Sequence, residues 1–204
     1  MAAGLTVVKV GGSLYDLDYL QGRLRRWLKV EAKGRVLLVA GGGAIADAVQ
    51  RLDATHCLGD EKAHWLALRA LAFNGAFLAV LLPDTPIVRD GAPLPIVDHP
   101  SDALPGVSIL NAFAFAKLDE RQSPTRCLPH TWAATSDSVA ARAAVVGNAE
   151  RLVLLKSMAL PHGMDWAEAG RRGFVDPVFA GVIRDAPHLA VQVVNFREWH
   201  APPP

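Results

Sequence analysis

The sequence predicts an α/β protein, a three-layer αβα sandwich around a mostly parallel central sheet. Three observations predict it. Short β-branched runs end in glycine and pass directly into segments whose apolar residues fall at helical spacing. This strand, loop and helix unit recurs along the chain. Units of that kind close by right-handed crossovers, which return each strand parallel to the last and place helices on both faces of the sheet.

The elements follow in order. Residues 5–10 (LTVVKV) read as a strand ending in Gly11-Gly12, followed by Leu17, Leu20, Leu24 and Leu28 on one helical face. Residues 36–39 (VLLV) repeat the pattern, ending in Gly41-Gly42-Gly43 and leading into Ile45, Val49 and Leu52. Residues 61–73 read as a helix, 77–82 as a strand, 107–110 as a strand, 136–146 as a helix, 152–155 as a strand and 190–194 as a last strand. Residues 83–105 break the rhythm with six prolines. Their short β-like pieces, Pro86-Ile87-Val88 and Pro95-Ile96-Val97, read as an irregular excursion or edge hairpin. A softer boundary at 123–129 divides the chain into halves 1–122 and 123–204 of a single domain. The final prolines read as a frayed tail.

Composition excludes several classes of function. With 204 residues, 51% hydrophobic and 20% charged, the chain can bury a sizeable core. Its net charge of +1 and lack of any basic run beyond Arg25-Arg26 and Arg171-Arg172 argue against a nucleic-acid partner. Cys57 and Cys127 lack metal or redox spacing and suit a reducing compartment. The N-terminus has no basic region before its apolar stretch, and Lys9 interrupts that stretch. The longest apolar run, residues 76–82, is too short to span a bilayer. The expectation is a cytoplasmic protein with no membrane partner.

Ligands of open parallel sheets bind beyond the carboxyl ends of the strands, and glycines stand at two such ends here. Lys9, Gly11, Gly12 and Ser13 place a cation and exposed backbone N–H groups where a phosphate would sit. Gly41, Gly42 and Gly43 open a helix, whose free N–H groups and dipole form a second anion cradle. Asp47, one turn on, either contacts substrate or favours the dipole. Thr135, Ser136 and Asp137 open another helix, where Thr or Ser as N-cap with an Asp in the first turn is ordinary capping chemistry and the favoured explanation of the segment taken alone. Lys156, followed by Ser157, repeats the strand-end lysine. Two lysines and two glycine cradles form a track for a triphosphate, since phosphoryl transfer depends on positioning and charge neutralisation. His130 and Trp132 are candidates for lining an acceptor pocket, with half-buried packing as the alternative. No His or Cys spacing supports a protein metal site.

Taken in order, KVGGSL (9–14), VAGGGAIAD (39–47), TSDSVAARAA (135–144) and LLKS (154–157) resemble the amino acid kinase family, which includes aspartate and uridylate kinases. The resemblance implies an acceptor-binding lobe in 1–122 and a nucleotide-binding lobe in 123–204, with ATP and Mg2+ as cofactors. It implies that Lys9 stabilises the transferring phosphoryl group and that Gly11, Gly12 and Ser13 hold nucleotide phosphates. Gly41 to Gly43 would hold the acceptor, Asp137 would orient the two lysines, and Lys156 would contact ATP phosphates. A homo-oligomer is expected on the same ground. The GGGxxAD and HTW…TSDS stretches look most like the small branch containing 5-(aminomethyl)-3-furanmethanol phosphate kinases of methanofuran biosynthesis, which turn a monophosphate into a diphosphate.

Two other readings compete. Gly41 to Ala46 also satisfies a dinucleotide fingerprint, with Asp60 and Glu61 at about the spacing of its acidic partner. The third reading is a nucleotide- or oxyanion-binding protein that uses the same fold without turnover.

Overall fold

The structure is a computed structural model that describes residues 4–31, 34–83, 85–88, 104 and 106–200. Among the described residues six strands form one all-parallel sheet in the order β3-β4-β2-β1-β5-β6. The strands are β1 (Leu5–Val10), β2 (Arg35–Ala40), β3 (Ile87–Val88), β4 (Val107–Leu110), β5 (Arg151–Lys156) and β6 (Ala190–Asn195). Among the described residues seven α-helices accompany them: α1 (Leu20–Glu31), α2 (Gly43–His56), α3 (Asp60–Leu81), α4 (Ala112–Gln122), α5 (Ser136–Val146), α6 (Trp166–Arg171) and α7 (Phe179–Arg184).

Strand periodicity divides the core in two. Val7, Leu37, Val39, Leu152 and Leu154 face α4 to α7 and the first half of α3, packing on Phe115, Val139, Ala140 and Phe179. Val8, Val10, Leu38, Val153 and Leu155 face the opposite layer, where α1 supplies Leu20, Leu24, Trp27 and Leu28. Leu78 and Leu82, from the far end of α3, complete that second core. Both faces of the central strands are buried, so these strands read as continuous apolar runs rather than alternating ones.

One expectation is corrected. Residues 77–82 are not a strand, because they continue α3 through Leu81. A short apolar run cannot be assigned to strand or helix by periodicity alone, and Gly75 does not break the helix. Its missing side chain instead lets α3 approach β4, where a Cβ would stand 3.3 Å from the Leu110 carbonyl oxygen. The helix read from the spacing of Ile45, Val49 and Leu52 is present as α2, and no residue of it is buried. That helix packs on α3 and the turn after β1 rather than on the sheet.

Helix α3, with 22 residues, is long and apolar enough by length and composition to cross a membrane, unlike the shorter run read from the sequence. It packs on α2, α4, β2 and β4 and buries Leu68, Leu71, Asn74 and Leu78 in the fold. Pro86-Ile87-Val88 becomes the parallel edge strand β3, beside β4. Pro95-Ile96-Val97 lies outside the described residues. The 123–129 boundary is a turn segment between α4 and α5, and it is spanned by a buried bidentate pair from Arg142 to Asp119 at 2.8 and 2.7 Å.

Candidate functional site

The site begins with strand parity. Lys9 shares the sheet face of Val7, and Lys156 shares that of Leu154, so both lysines emerge at strand ends on the α5 side of adjacent strands. Residues Ser136 to Ala144 of α5 are all buried against that face, which brings the first turn of the helix over the two strand ends. Asp137 lies there. Lys156 Nζ donates to its Oδ2 at 2.7 Å, and Lys9 Nζ meets its Oδ1 at 2.8 Å as an ion pair outside hydrogen-bond alignment. All three side chains are largely shielded from solvent.

The electrostatics follow from that burial. Burial alone would raise the Asp137 carboxyl, but the charges of Lys9 and Lys156 outweigh it and hold the group below the usual carboxylate value. Burial and the neighbouring Lys9 charge pull Lys156 below an ordinary lysine, with Asp137 opposing. Two cations and one anion leave a net positive centre, which an incoming anion would relieve.

Thr135, rather than Asp137, is the N-cap of α5, accepting from the Asp137 N–H. Behind it stands Asp176, a buried carboxylate that accepts from Thr135 N and Oγ1, from Ser138 N and Oγ, and from Val178 N and Phe179 N. One side chain thereby fixes the starts of α5 and α7 and sets where Asp137 sits. Its signal in the sequence is only an Asp-Pro pair forty residues downstream, so motif reading passed over it.

The two glycine loops touch. A Cβ on Gly12 would fall 2.1 Å from Gly43 N, and one on Gly41 would fall 2.3 Å from Gly12 N. Gly43 also has φ +50, a left-handed conformation that favours glycine. Only residues without side chains allow this backbone-on-backbone approach. Among the described residues no acceptor takes the Gly42 or Gly43 N–H, and Gly11 N is spent on the Leu155 carbonyl. Ser13 Oγ donates to Ser157 Oγ at 3.1 Å, joining the ends of β1 and β5.

A cavity of about 850 Å³ collects Lys9, Gly11, Gly12, Ser13, Gly42, Gly43, Asp47, Ser136, Lys156 and Ser157. Gly41 is buried just behind it. A second cavity, of about 240 Å³, shares Gly42, Gly43, Asp47 and Ser136 and continues between α2, α3 and the loop before α5. Its walls include Leu68, Leu71, Val139, Trp132 and His64. Trp132 takes its place there with its indole N–H donated to Asp53 at 2.7 Å.

His130 lines neither cavity. It turns to the Glu61 carboxylate at 2.5 Å and stacks on His64 with ring centroids 4.5 Å apart. Of the two alternatives open for His130, this is the packing one, and it is His64, which is buried, that faces the smaller cavity. Burial, with the nearby His130, lowers the His64 pKa to about 4 and keeps its ring neutral. Two further residues that the sequence reading missed are Tyr15 and Asn74, both bonded to the Gly41 carbonyl. Among the described residues no group of three or more His, Cys, Asp or Glu side chains could hold a metal ion.

This architecture is shared with solved kinases. The chain matches the UMP kinase of Ureaplasma parvum with a TM-score of 0.62 and 16% identity, over 96% of this chain and 91% of that one. It matches the UMP kinase of Bacillus anthracis with a TM-score of 0.61 and 14% identity, over 97% and 89%. The aspartate kinase of Synechocystis matches with a TM-score of 0.60 and 14% identity, over 93% of this chain and 37% of that one. No family model matches the sequence, and no curated protein matches it. The fold is therefore amino-acid-kinase-like. No strand separates α2 from α3, so Asp60 and Glu61 open a helix and do not end the strand that a dinucleotide fingerprint requires.

Proposed function

We propose that the protein is an ATP-dependent phosphotransferase acting on a small acidic acceptor. The observation that carries the reading is the cluster of buried Lys9 and Asp137 with half-buried Lys156, facing free N–H groups of a glycine loop across one cavity. Such a centre meets the demand of phosphoryl transfer, which spreads negative charge over the moving group and needs preorganised donors more than covalent help. An oxygen of the acceptor attacks the γ-phosphorus, the bond from that phosphorus to the β,γ-bridging oxygen breaks, and ADP leaves. A carboxylate or phosphate acceptor is already ionised, so the step needs no base. That suits a site whose central carboxylate is committed to two lysines.

The lobe assignment belongs to the same proposal, with the acceptor body in the smaller cavity and nucleotide phosphates along Gly11 to Ser13, Lys156 and Ser157. Both Asp137 oxygens are taken by lysines, so Mg2+ would arrive on the phosphate oxygens of ATP, where it neutralises charge. The particular acceptor we put forward is 5-(aminomethyl)-3-furanmethanol phosphate, in methanofuran-type cofactor synthesis. The shared GGGxxAD and HTW…TSDS stretches support it. Oligomerisation is proposed likewise, supported by the apolar side chains of Leu52, Phe73 and Val80 that stand exposed on α2 and α3.

The test is ADP release with Mg-ATP over a panel of phosphorylated and carboxylated acceptors, alongside calorimetric titration with ATP and with NADH. Turnover on one acidic acceptor supports the reading. Tight ATP binding with no turnover on any acceptor would leave a nucleotide-binding protein in its place.

A further inference from the structure

Asn74 is a buried carboxamide, 3% exposed, on a face of α3 otherwise made of Leu71, Gly75 and Leu78. An amide placed there requires partners. It finds two, because Nδ2 lies 2.8 Å from the Gly41 carbonyl oxygen and 2.6 Å from that of Gly42. Two carbonyl acceptors can be met only by the amide nitrogen, so the chemistry itself fixes which way the carboxamide points. The Gly41 oxygen takes a second bond from the Tyr15 hydroxyl at 3.1 Å. Burial raises the pKa of that phenol, so it remains a donor.

In a planar trans peptide the C=O and the following N–H point to opposite sides. Anchoring the Gly41 and Gly42 carbonyls therefore orients the N–H groups of Gly42 and Gly43, the two that have no acceptor. The Gly42 oxygen also accepts from the Ala46 N–H at 3.2 Å, the first bond of α2, so the peptide that glycine would otherwise leave free to turn over is the one joining Gly41 and Gly42. A flipped peptide would present a carbonyl oxygen to the anion and repel it.

We propose that Asn74, seconded by Tyr15, is the positioning residue that makes the Gly41 to Gly43 loop an anion receptor, acting on ligand affinity through the backbone it holds. This rests on the assignment of that loop to the acceptor's reacting anion. It adds a dependence of anion binding on a side chain that belongs to neither glycine loop. Asn74→Asp keeps the shape but replaces the donor with an anion facing two carbonyl oxygens. Asn74→Leu keeps the size and removes the donor without adding charge. Tyr15→Phe removes one of the two bonds to Gly41.

The measurement is a titration of 15N-labelled protein with inorganic phosphate, following the Gly42 and Gly43 amide resonances, with steady-state kinetics in parallel. In the wild type these amides should shift. In Asn74→Asp and Asn74→Leu the phosphate affinity should fall tenfold or more, with a matching rise in acceptor KM and an ATP KM within twofold. Tyr15→Phe should fall between. Unshifted Gly42 and Gly43 amides in the wild type would overturn the proposal. So would folded Asn74 variants with unchanged phosphate affinity, or a loss that weakens ATP and acceptor equally. If neither Asn74 variant folds, the residue serves stability and the positioning role is overturned. Phosphate binding that depends on Asn74 in a protein without turnover would sink the kinase reading while leaving this one standing.

Discussion

At the scale of single residues, the central fact is a carboxylate shared by two lysines in a nearly dry setting. Asp137 is both a first-turn residue of α5 and the counter-ion of the cluster, so capping and catalysis are not separable as rival roles. Replacing it with Asn leaves buried Lys9 and half-buried Lys156 facing each other without a counter-ion, and breaking a largely buried pair in this way costs about 3 kcal/mol. Asp137→Asn should therefore lower the thermal midpoint as well as reducing turnover about a hundredfold, roughly 3 kcal/mol of barrier. Inorganic phosphate should restore much of the lost midpoint by supplying the missing negative charge. A variant with normal turnover would return Asp137 to a structural role. His64 provides a second test. Its pKa of about 4 in the folded protein lies below the ordinary 6.5, so the unfolded chain takes up a proton that the fold resists. Stability from this group is full above pH 6.5 and is lost as pH falls towards 4. In a His64→Gln variant the midpoint should decline less steeply over that window, and parallel declines would show that the ring does not titrate as argued.

At the scale of elements, the site depends on how closely two backbone turns can approach. A Cβ at position 12 would strike the nitrogen of Gly43, whereas a Cβ at Gly22, in the first turn of α1, meets nothing within 4 Å. Gly12→Ala should destabilise by about 1–3 kcal/mol through overpacking and abolish anion binding. Gly22→Ala should stabilise by about 0.5–1 kcal/mol through helix propensity, with activity intact. Denaturant unfolding of both variants, with phosphate titration of the first, checks the pair, and a folded Gly12→Ala protein with normal affinity would refute it. The strands β1, β2, β4 and β5 were legible because their apolar runs end at glycine after β1 and β2, at Asn111 after β4 and at Lys156 in β5. Helix α5 was legible because its cap and its small-residue pattern coincide with its bounds. Helix α4 was not read, and its cue is Asn111, whose side chain accepts from Ala114 N. The far end of α3 failed because an unbroken apolar run suits a buried helix and a buried strand alike. Asn74, Tyr15 and Asp176 act by holding backbone, so no motif of catalytic residue types contains them.

At the scale of the whole molecule, one sheet joins the two halves of the chain. Strands β2 and β5, from different halves, flank β1, and the two lysines stand on β1 and β5, one from each half. Within the second half, Asp176 ties the cavity wall to α5, because the segment just before it places Gly173 and Phe174 on the larger cavity while its carboxylate fixes the start of α5. A polyphosphate laid along the cavity would thus touch groups from both halves and favour only the assembled fold. Ligand that binds the native state alone adds about 2.7 kcal/mol at a hundred times its Kd. For a chain of 204 residues, about 2–4 °C per kcal/mol makes that a rise of about 5–10 °C in the thermal midpoint. Mg-ATP should produce this rise in the wild type. NADH should not, since Asp60 and Glu61 end no strand and so cannot serve as the acidic partner of a dinucleotide fingerprint. Lys156→Ala should lose most of the ATP-dependent rise, because it removes the cation that the second half contributes. An equal rise with NADH, or an undiminished ATP effect in Lys156→Ala, would show that the cavity's charge is not what binds the nucleotide.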